Sequence, residues 1–286
     1  MVMPNFLIIG AHKAGTTSLH QYLSQHPDIY MSPLKEARFW AYDHNDPNHR
    51  RKVLHSFPIT TLEKYKKLFD GVSKEKAIGE TSPTYLLSSK VPLRLKSFIP
   101  DARLIASLRN PVEQAYSLYQ MELRAGRRLP ESPLKFSTND KLLEGGFYYA
   151  NLKPFFKLFE RTQIKVIIFE EWILDTLQTL RDIFQFLDVD DAFEPDIKVW
   201  NPSGIPKIKT IHSIHKIFRH KSLYRLKPLI PQRIRSFYRQ VMESNLAKAQ
   251  PLMEEVRQYL LHIYYNDIVK LQDLLDRDLS IWFGKK

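Results

Sequence analysis

Short apolar runs alternate with helical stripes along the first two thirds of the chain. Phe6–Ile9, Lys76–Gly79, Leu104–Leu108 and Lys165–Phe169 are short and end at polar or turn residues, which predicts buried strands. Between them apolar residues return at helical spacing. Leu19, Tyr22 and Leu23 share one face, as do Leu62, Tyr65, Leu68 and Phe69. Pro111 suits the first turn of a helix whose stripe is Ala115, Leu118 and Tyr119. Leu152, Phe155, Phe156 and Phe159 form another stripe, interrupted by Pro154, and Leu177, Leu180, Ile183, Phe184 and Leu187 a third. Buried strands alternating with helices predict a parallel sheet covered on both faces.

Elsewhere the pattern changes. His26-Pro27-Asp28 is expected to end the first helix, and Leu129–Gly146, with Pro130, Pro133 and Gly145-Gly146, reads as a loop. Two helical patterns, Leu246–His262 and Ile268–Leu275, close the sequence. At about 150 residues per domain, 286 residues allow two. No linker or repeat stands out, so residues 1–286 are read as one domain, with a core over 5–200 and a basic, helical region over 201–286.

Charge adds one feature. The net charge is +12, from 43 basic and 31 acidic residues. Ile197 to Met242 contains no Asp or Glu but eleven Lys and Arg, so the rest of the chain is nearly neutral. Such a segment calls for an anionic partner. The absence of cysteine excludes disulfides, Cys-ligated metals and thiol nucleophiles, and fits a reducing compartment. No apolar run is long enough for a signal-peptide core or a membrane span. The expectation is a cytoplasmic protein.

Three clusters carry chemistry. Gly10-Ala-His-Lys13-Ala-Gly15-Thr16-Thr17-Ser18 puts a glycine loop between a strand and a helix, where backbone N–H groups and the helix dipole attract an anion. The spacing matches the nucleotide-triphosphatase loop, but Thr16 stands where that loop has its lysine. The lysine sits at position 13, within reach of the end of a 5′-phosphate. The plain alternative is a tight turn with an exposed lysine. In Ser107-Leu-Arg109-Asn-Pro111, with Ser117 eight residues past Arg109, an arginine at a strand's C-terminal end and a helical serine suit a phosphate monoester. An ion pair between Arg109 and Glu113 would explain the arginine equally. In Lys35-Glu36-Ala-Arg38-Phe39-Trp40 a carboxylate between two cations stays ionised and can serve as a base. A solvated charge cluster is the simpler account.

Together these residues resemble the sulfotransferases that use 3′-phosphoadenosine-5′-phosphosulfate (PAPS), nearest to the heparan-sulfate branch and its bacterial relatives. The resemblance is carried by Phe6–Ser18, Lys35-Glu36-x-x-Phe39-Trp40, Gly79-Glu80-Thr-Ser-Pro-Thr-Tyr85, Leu108-Arg-Asn-Pro-x-Glu-Gln-x-x-Ser117-x-Tyr119 and Asp278-Leu-Ser-x-Trp282. It implies an α/β, P-loop-like parallel sheet flanked by helices. Lys13, Gly15, Thr16, Thr17 and Ser18 would hold the 5′-phosphosulfate, and Arg109 and Ser117 the 3′-phosphate. Glu36 would be the general base and Lys13 its catalytic partner at the leaving group. Lys207 or Lys209 would close over the nucleotide. The product nucleotide is 3′-phosphoadenosine-5′-phosphate. No metal is expected, and Glu80 is the next carboxylate in line as a base.

The 3-O branch of heparan enzymes follows the glutamate with His and Asp, where this chain has Arg38 and Ala41, and has a lysine at the place of Thr81. The acceptor is therefore left open among a carbohydrate, a glycolipid and a small natural product. An anionic membrane surface is a possible partner; nucleic acid is not expected. A P-loop kinase is the competing enzyme class, and a basic nucleic-acid or membrane-binding module the competing non-enzyme. His12, His20 and His26 read as surface or helix-end residues, and Glu170-Glu171 as the cap of the following helix.

Overall fold

The computed structural model describes residues 2–43, 45–47, 49, 57–124, 139–197, 205–206, 246–247 and 251–284. Its centre is a five-stranded parallel sheet. β1 (Phe6–Gly10) lies in the middle, followed in the chain by β2 (Ile29–Met31), β3 (Ala77–Thr81), β4 (Arg103–Leu108) and β5 (Ile164–Ile168). The spatial order is β2-β3-β1-β4-β5. The expected α/β parallel sheet flanked by helices is therefore present. β2 was not expected: its three residues fall below the length at which an apolar run stands out.

Nine α-helices, some of one turn, are described. They are α1 (Thr16–Leu23), α2 (Leu62–Lys66), α3 (Val91–Phe98), α4 (Pro111–Arg124), α5 (Asp140–Leu143), α6 (Tyr148–Leu158), α7 (Phe169–Trp172), α8 (Thr176–Leu187) and α9 (Glu254–Leu275). Alternation along β1 divides the core. Phe6 and Ile8 pack with Leu19 and Leu23 of α1 and Leu180, Ile183 and Phe184 of α8. Leu7 and Ile9 point into the larger cluster with Leu95 of α3, Phe155 of α6 and Leu260 of α9. Each such side chain contributes about 1.5–3 kcal/mol when fully buried, and both faces of the sheet are covered. α8 starts at Asp175, whose side chain accepts from Gln178 N at 3.0 Å, and ends at Asp188 in the left-handed region, φ 60°.

Several expectations need correcting. The two C-terminal helical patterns form one 22-residue helix, α9, and Leu246–Ala247 pairs as a strand with Ile205–Pro206. The polar Asn266-Asp267 pair looks like a break in the sequence. In the structure Asp267 reaches sideways and accepts from Tyr149 N (2.8 Å) and Ala150 N (3.1 Å), satisfying the first turn of α6. The loop expected over Leu129–Gly146 is helical over Asp140–Leu143 and turns in a 3₁₀ segment over Glu144–Gly146; its earlier part lies outside the described residues. α1 ends at Leu23, before His26. His26 is buried: its Nδ1 accepts from Asp28 N at 3.0 Å, and its Nε2 donates to the Asp190 carbonyl at 2.8 Å.

Candidate active site

Parallel strands all point their C-terminal ends to one edge, where open α/β sheets bind ligands. From β1 the chain enters the 11–15 loop. Gly15, φ 77°, takes a conformation open to glycine, and a Cβ there would come within 2.1 Å of the Trp172 ring. No side chain caps α1 behind it, so its first N–H groups are left for a ligand. Lys13 also adopts a left-handed backbone, φ 64°.

The loop is held from β4 and α4. Ala11 N donates to the Ser107 carbonyl (2.7 Å) and Ser107 Oγ donates to the Ala14 carbonyl (2.6 Å). Gln114 Nε2 donates to the His12 carbonyl at 3.2 Å, and Arg109 Nη1 to the Lys13 carbonyl at 3.4 Å. Arg109 and the lysine loop, far apart in sequence, therefore meet at adjacent strand ends. Arg109 lies over the Phe169 ring at 5.1 Å and pairs with Glu113 at 3.8 Å. Glu113 also accepts from Arg257 of α9 at 2.5 Å, so its carboxylate is shared between two arginines. Ser117 is buried two turns along α4. Thr16, Thr17 and Ser18 form the first turn of α1. Lys207 and Lys209 lie outside the described residues, as does most of the acid-free segment 197–242.

A tie that the sequence reading missed fixes the Arg109 turn. Glu170 accepts from Asn110 N (2.8 Å) and from Trp282 Nε1 (3.1 Å), while Asn110 Nδ2 donates to the Trp282 carbonyl (3.0 Å). Glu170 is thus a clasp rather than a helix cap, and Glu171 pairs with Arg277. The Asp-Leu-Ser-x-Trp motif was the signal, but its partners are more than 100 residues away.

The other half of the edge carries acids. After β2 the chain places Glu36 beside β3, with Glu36 N donating to the Thr81 carbonyl at 2.7 Å. Its carboxylate accepts from Lys35 Nζ (3.4 Å), Arg38 Nε (3.1 Å) and Arg38 Nη2. Burial pushes its pKa up, but the Arg38 hydrogen bond and the charges of Lys35, Arg38 and His12 outweigh it, leaving the pKa below the usual carboxylate value. The expectation of an ionised carboxylate holds. Glu36 and Arg38 both have left-handed backbones, φ 64° and 54°. Trp40 is 2% exposed and anchors the segment.

His20, in the last turn of α1, and His26, just past its end, are helix-end residues as expected but buried, and His12 is half-buried. Burial lowers the His12 pKa to about 4, against the opposing pull of Glu36, so its ring is neutral at neutral pH. The ring lies within the electrostatic reach of Glu36, Arg38, Lys35 and Lys13. Burial likewise lowers His20 to about 4, and its Nδ1 lies 3.0 Å from Thr81 Oγ1. Glu80 has no exposed surface and cannot meet an acceptor, so it is not the alternative base. Among the described residues no group of His, Asp and Glu is arranged to hold a metal.

Comparison with known proteins agrees with this geometry. The family described as "Sulfotransferase family" matches residues 4–195. A solved sulfotransferase from Alicyclobacillus acidocaldarius is 30% identical, with a TM-score of 0.73, over 99% of this chain and 100% of that one. The membrane-associated sulfotransferase kil1 of Dictyostelium discoideum is 32% identical over 48% of this chain and 27% of its own length. The human bifunctional heparan sulfate N-deacetylase/N-sulfotransferase 2 is 27% identical over 65% of this chain and 22% of its own length. The chain thus spans about a quarter of these two curated relatives. It belongs to the sulfotransferase family.

Proposed function

We propose that the enzyme moves the sulfuryl group of PAPS to a hydroxyl or amine of a carbohydrate or glycolipid. The observation that carries this reading is the direct contact of Arg109 with the Lys13 loop at adjacent strand ends, with an ionised Glu36 at the same edge. The donor would supply a sulfuryl group on a good phosphate leaving group. The residues fit such an anion: Gly15 keeps the loop tight under Trp172, and the first turn of α1 is uncapped.

Lys13, Gly15, Thr16, Thr17 and Ser18 hold the 5′ end, and Arg109 with Ser117 the 3′-phosphate. Glu36 takes the proton from the acceptor as its oxygen or nitrogen bonds to sulfur. The bond from sulfur to the bridging phosphate oxygen breaks, and its electron pair stays on that oxygen, where Lys13 and the α1 N–H groups meet the new charge. Sulfuryl transfer, like phosphoryl transfer, depends mainly on such positioning and electrostatics. The carbohydrate class rests on the heparan sulfate named for one relative. Lys207 and an anionic acceptor or membrane for the 197–242 segment remain part of the proposal from the sequence.

Calorimetry tests the donor. Charge-assisted hydrogen bonds contribute about 1.5–3 kcal/mol each, so 3′-phosphoadenosine-5′-phosphate is expected to bind at least about tenfold more tightly than AMP. Equal affinities, or a preference for ATP with Mg²⁺, overturn the PAPS reading.

A further inference from the structure

Three hydroxyls converge on the carboxylate of Glu80. Tyr65 OH donates to Oε1 at 3.0 Å, Tyr85 OH to Oε1 at 2.5 Å, and Ser82 Oγ to Oε2 at 2.8 Å. Each hydroxyl also accepts from the segment that carries Arg38. Ser82 Oγ accepts from Arg38 N (3.0 Å), Tyr85 OH from Trp40 N (3.5 Å), and Tyr65 OH from Trp40 Nε1 (3.0 Å). A hydroxyl has one proton. With an N–H on one side, each must spend that proton on Glu80, so an acceptor at position 80 sets the direction of all three chains.

We infer that Glu80 is a positioning residue, which through Ser82 and Tyr85 locks the backbone of Arg38–Trp40, through Tyr65 holds the Trp40 side chain, and so keeps the Arg38 guanidinium on Glu36. The arrangement suits an anion. An ionised carboxyl only accepts, whereas a protonated one would need one of the three hydroxyls to turn away. Burial opposes that anion and raises the Glu80 pKa, and the three hydroxyl donors oppose the rise. The segment held in this way includes the left-handed Arg38, φ 54°, a conformation the rest of the structure must enforce. Glu36 itself faces Lys35, Arg38 and His12, and of these only Arg38 is tied to Glu80.

This inference rests on Glu36 as the base, and the test separates the two. The Glu36 carboxyl is followed by carbon NMR against pH, its signal assigned by its loss in Glu36→Gln. Glu80→Gln puts an amide donor against three donors. Ser82→Ala removes one link and leaves the buried carboxylate two others. In both variants the Glu36 titration is expected to move up, by as much as about one unit. Turnover is expected to fall by up to about 10²-fold, with affinity for 3′-phosphoadenosine-5′-phosphate unchanged. If Glu80→Gln does not fold, Ser82→Ala decides. An unmoved Glu36 titration in folded variants overturns the positioning role. Full activity in Glu36→Gln overturns the base instead, while the titration still reports on Glu80.

Discussion

The two halves of the strand-end edge are built in different ways. The half after β1 and β4 collects cations and backbone N–H groups, and its supports come from far along the chain: Gln114 on α4, Glu170 after β5 and Trp282 beyond α9. The half after β2 and β3 collects carboxylates, and its supports are nearer in sequence, from Lys35 to Tyr85. Within that second half the environments diverge again. Glu36 sits among cations with a lowered pKa, and Glu80 among hydroxyls with a raised one. Carboxyls pushed apart in this way take different tasks. On the proposed reading, donor binding and proton transfer have separate supports and can be damaged separately.

The largest effect is expected where that separation is sharpest. Glu36→Gln keeps the shape and removes the base, so turnover falls by about 10²–10⁴-fold while product-nucleotide affinity holds. Lys13→Ala, in contrast, lowers both. Steady-state rates paired with calorimetry read the difference, and a loss of nucleotide affinity in Glu36→Gln would mean the two halves are not separate.

A smaller effect is expected from the remote support of the cation half. Trp282→Phe keeps an aromatic ring beside Tyr148, now 5.8 Å away, and removes the Nε1 bond to Glu170. One hydrogen bond to a charged group contributes about 1.5–3 kcal/mol, only part of which reaches Arg109. The preference for 3′-phosphoadenosine-5′-phosphate over AMP should shrink a few-fold, with AMP affinity and the Glu36 titration unmoved. Equal weakening of both nucleotides would show that Trp282 supports the fold in general.

The smallest effect is in stability against pH. The folded pKa of Glu36 is depressed, so its contribution is present above its unfolded pKa and is lost as pH falls through the folded value. Glu80 has the opposite sign: its raised pKa makes its contribution greatest below the unfolded pKa and lost as pH rises through the folded one. Denaturant unfolding at a series of acidic pH values should show Glu36→Gln losing less stability on acidification than the native protein. A steeper loss would reverse the sign assigned to Glu36.

Much of this was legible in the sequence, for physical reasons that also mark where it stopped. β1, β4 and β5 are strands of at least five residues that are mostly apolar, and α8 repeats its stripe over three turns, so pattern finds them. The anion loop, Arg109 and Glu36 are legible because each group's chemistry is set by close neighbours. β2 is too short to show a period. The polar Asn266 and Asp267 interrupt the apolar pattern of α9, and the backbone N–H groups that Asp267 satisfies on α6 are remote in sequence. The clasp of Glu170, Asn110 and Trp282 and the hydroxyls around Glu80 depend on contacts between distant residues, which no local pattern encodes.

The left-handed backbones of Lys13, Glu36 and Arg38 have a consequence for how such an enzyme drifts. A non-glycine residue there costs on the order of 1–3 kcal/mol, and glycine or asparagine would relieve part of it. Change to glycine or asparagine at these three positions would therefore gain stability and, on the proposed reading, lose catalysis. If the proposed roles hold, selection for folding alone would erode the site, and selection for turnover would keep a lysine, a glutamate and an arginine where the backbone would more readily accept a glycine.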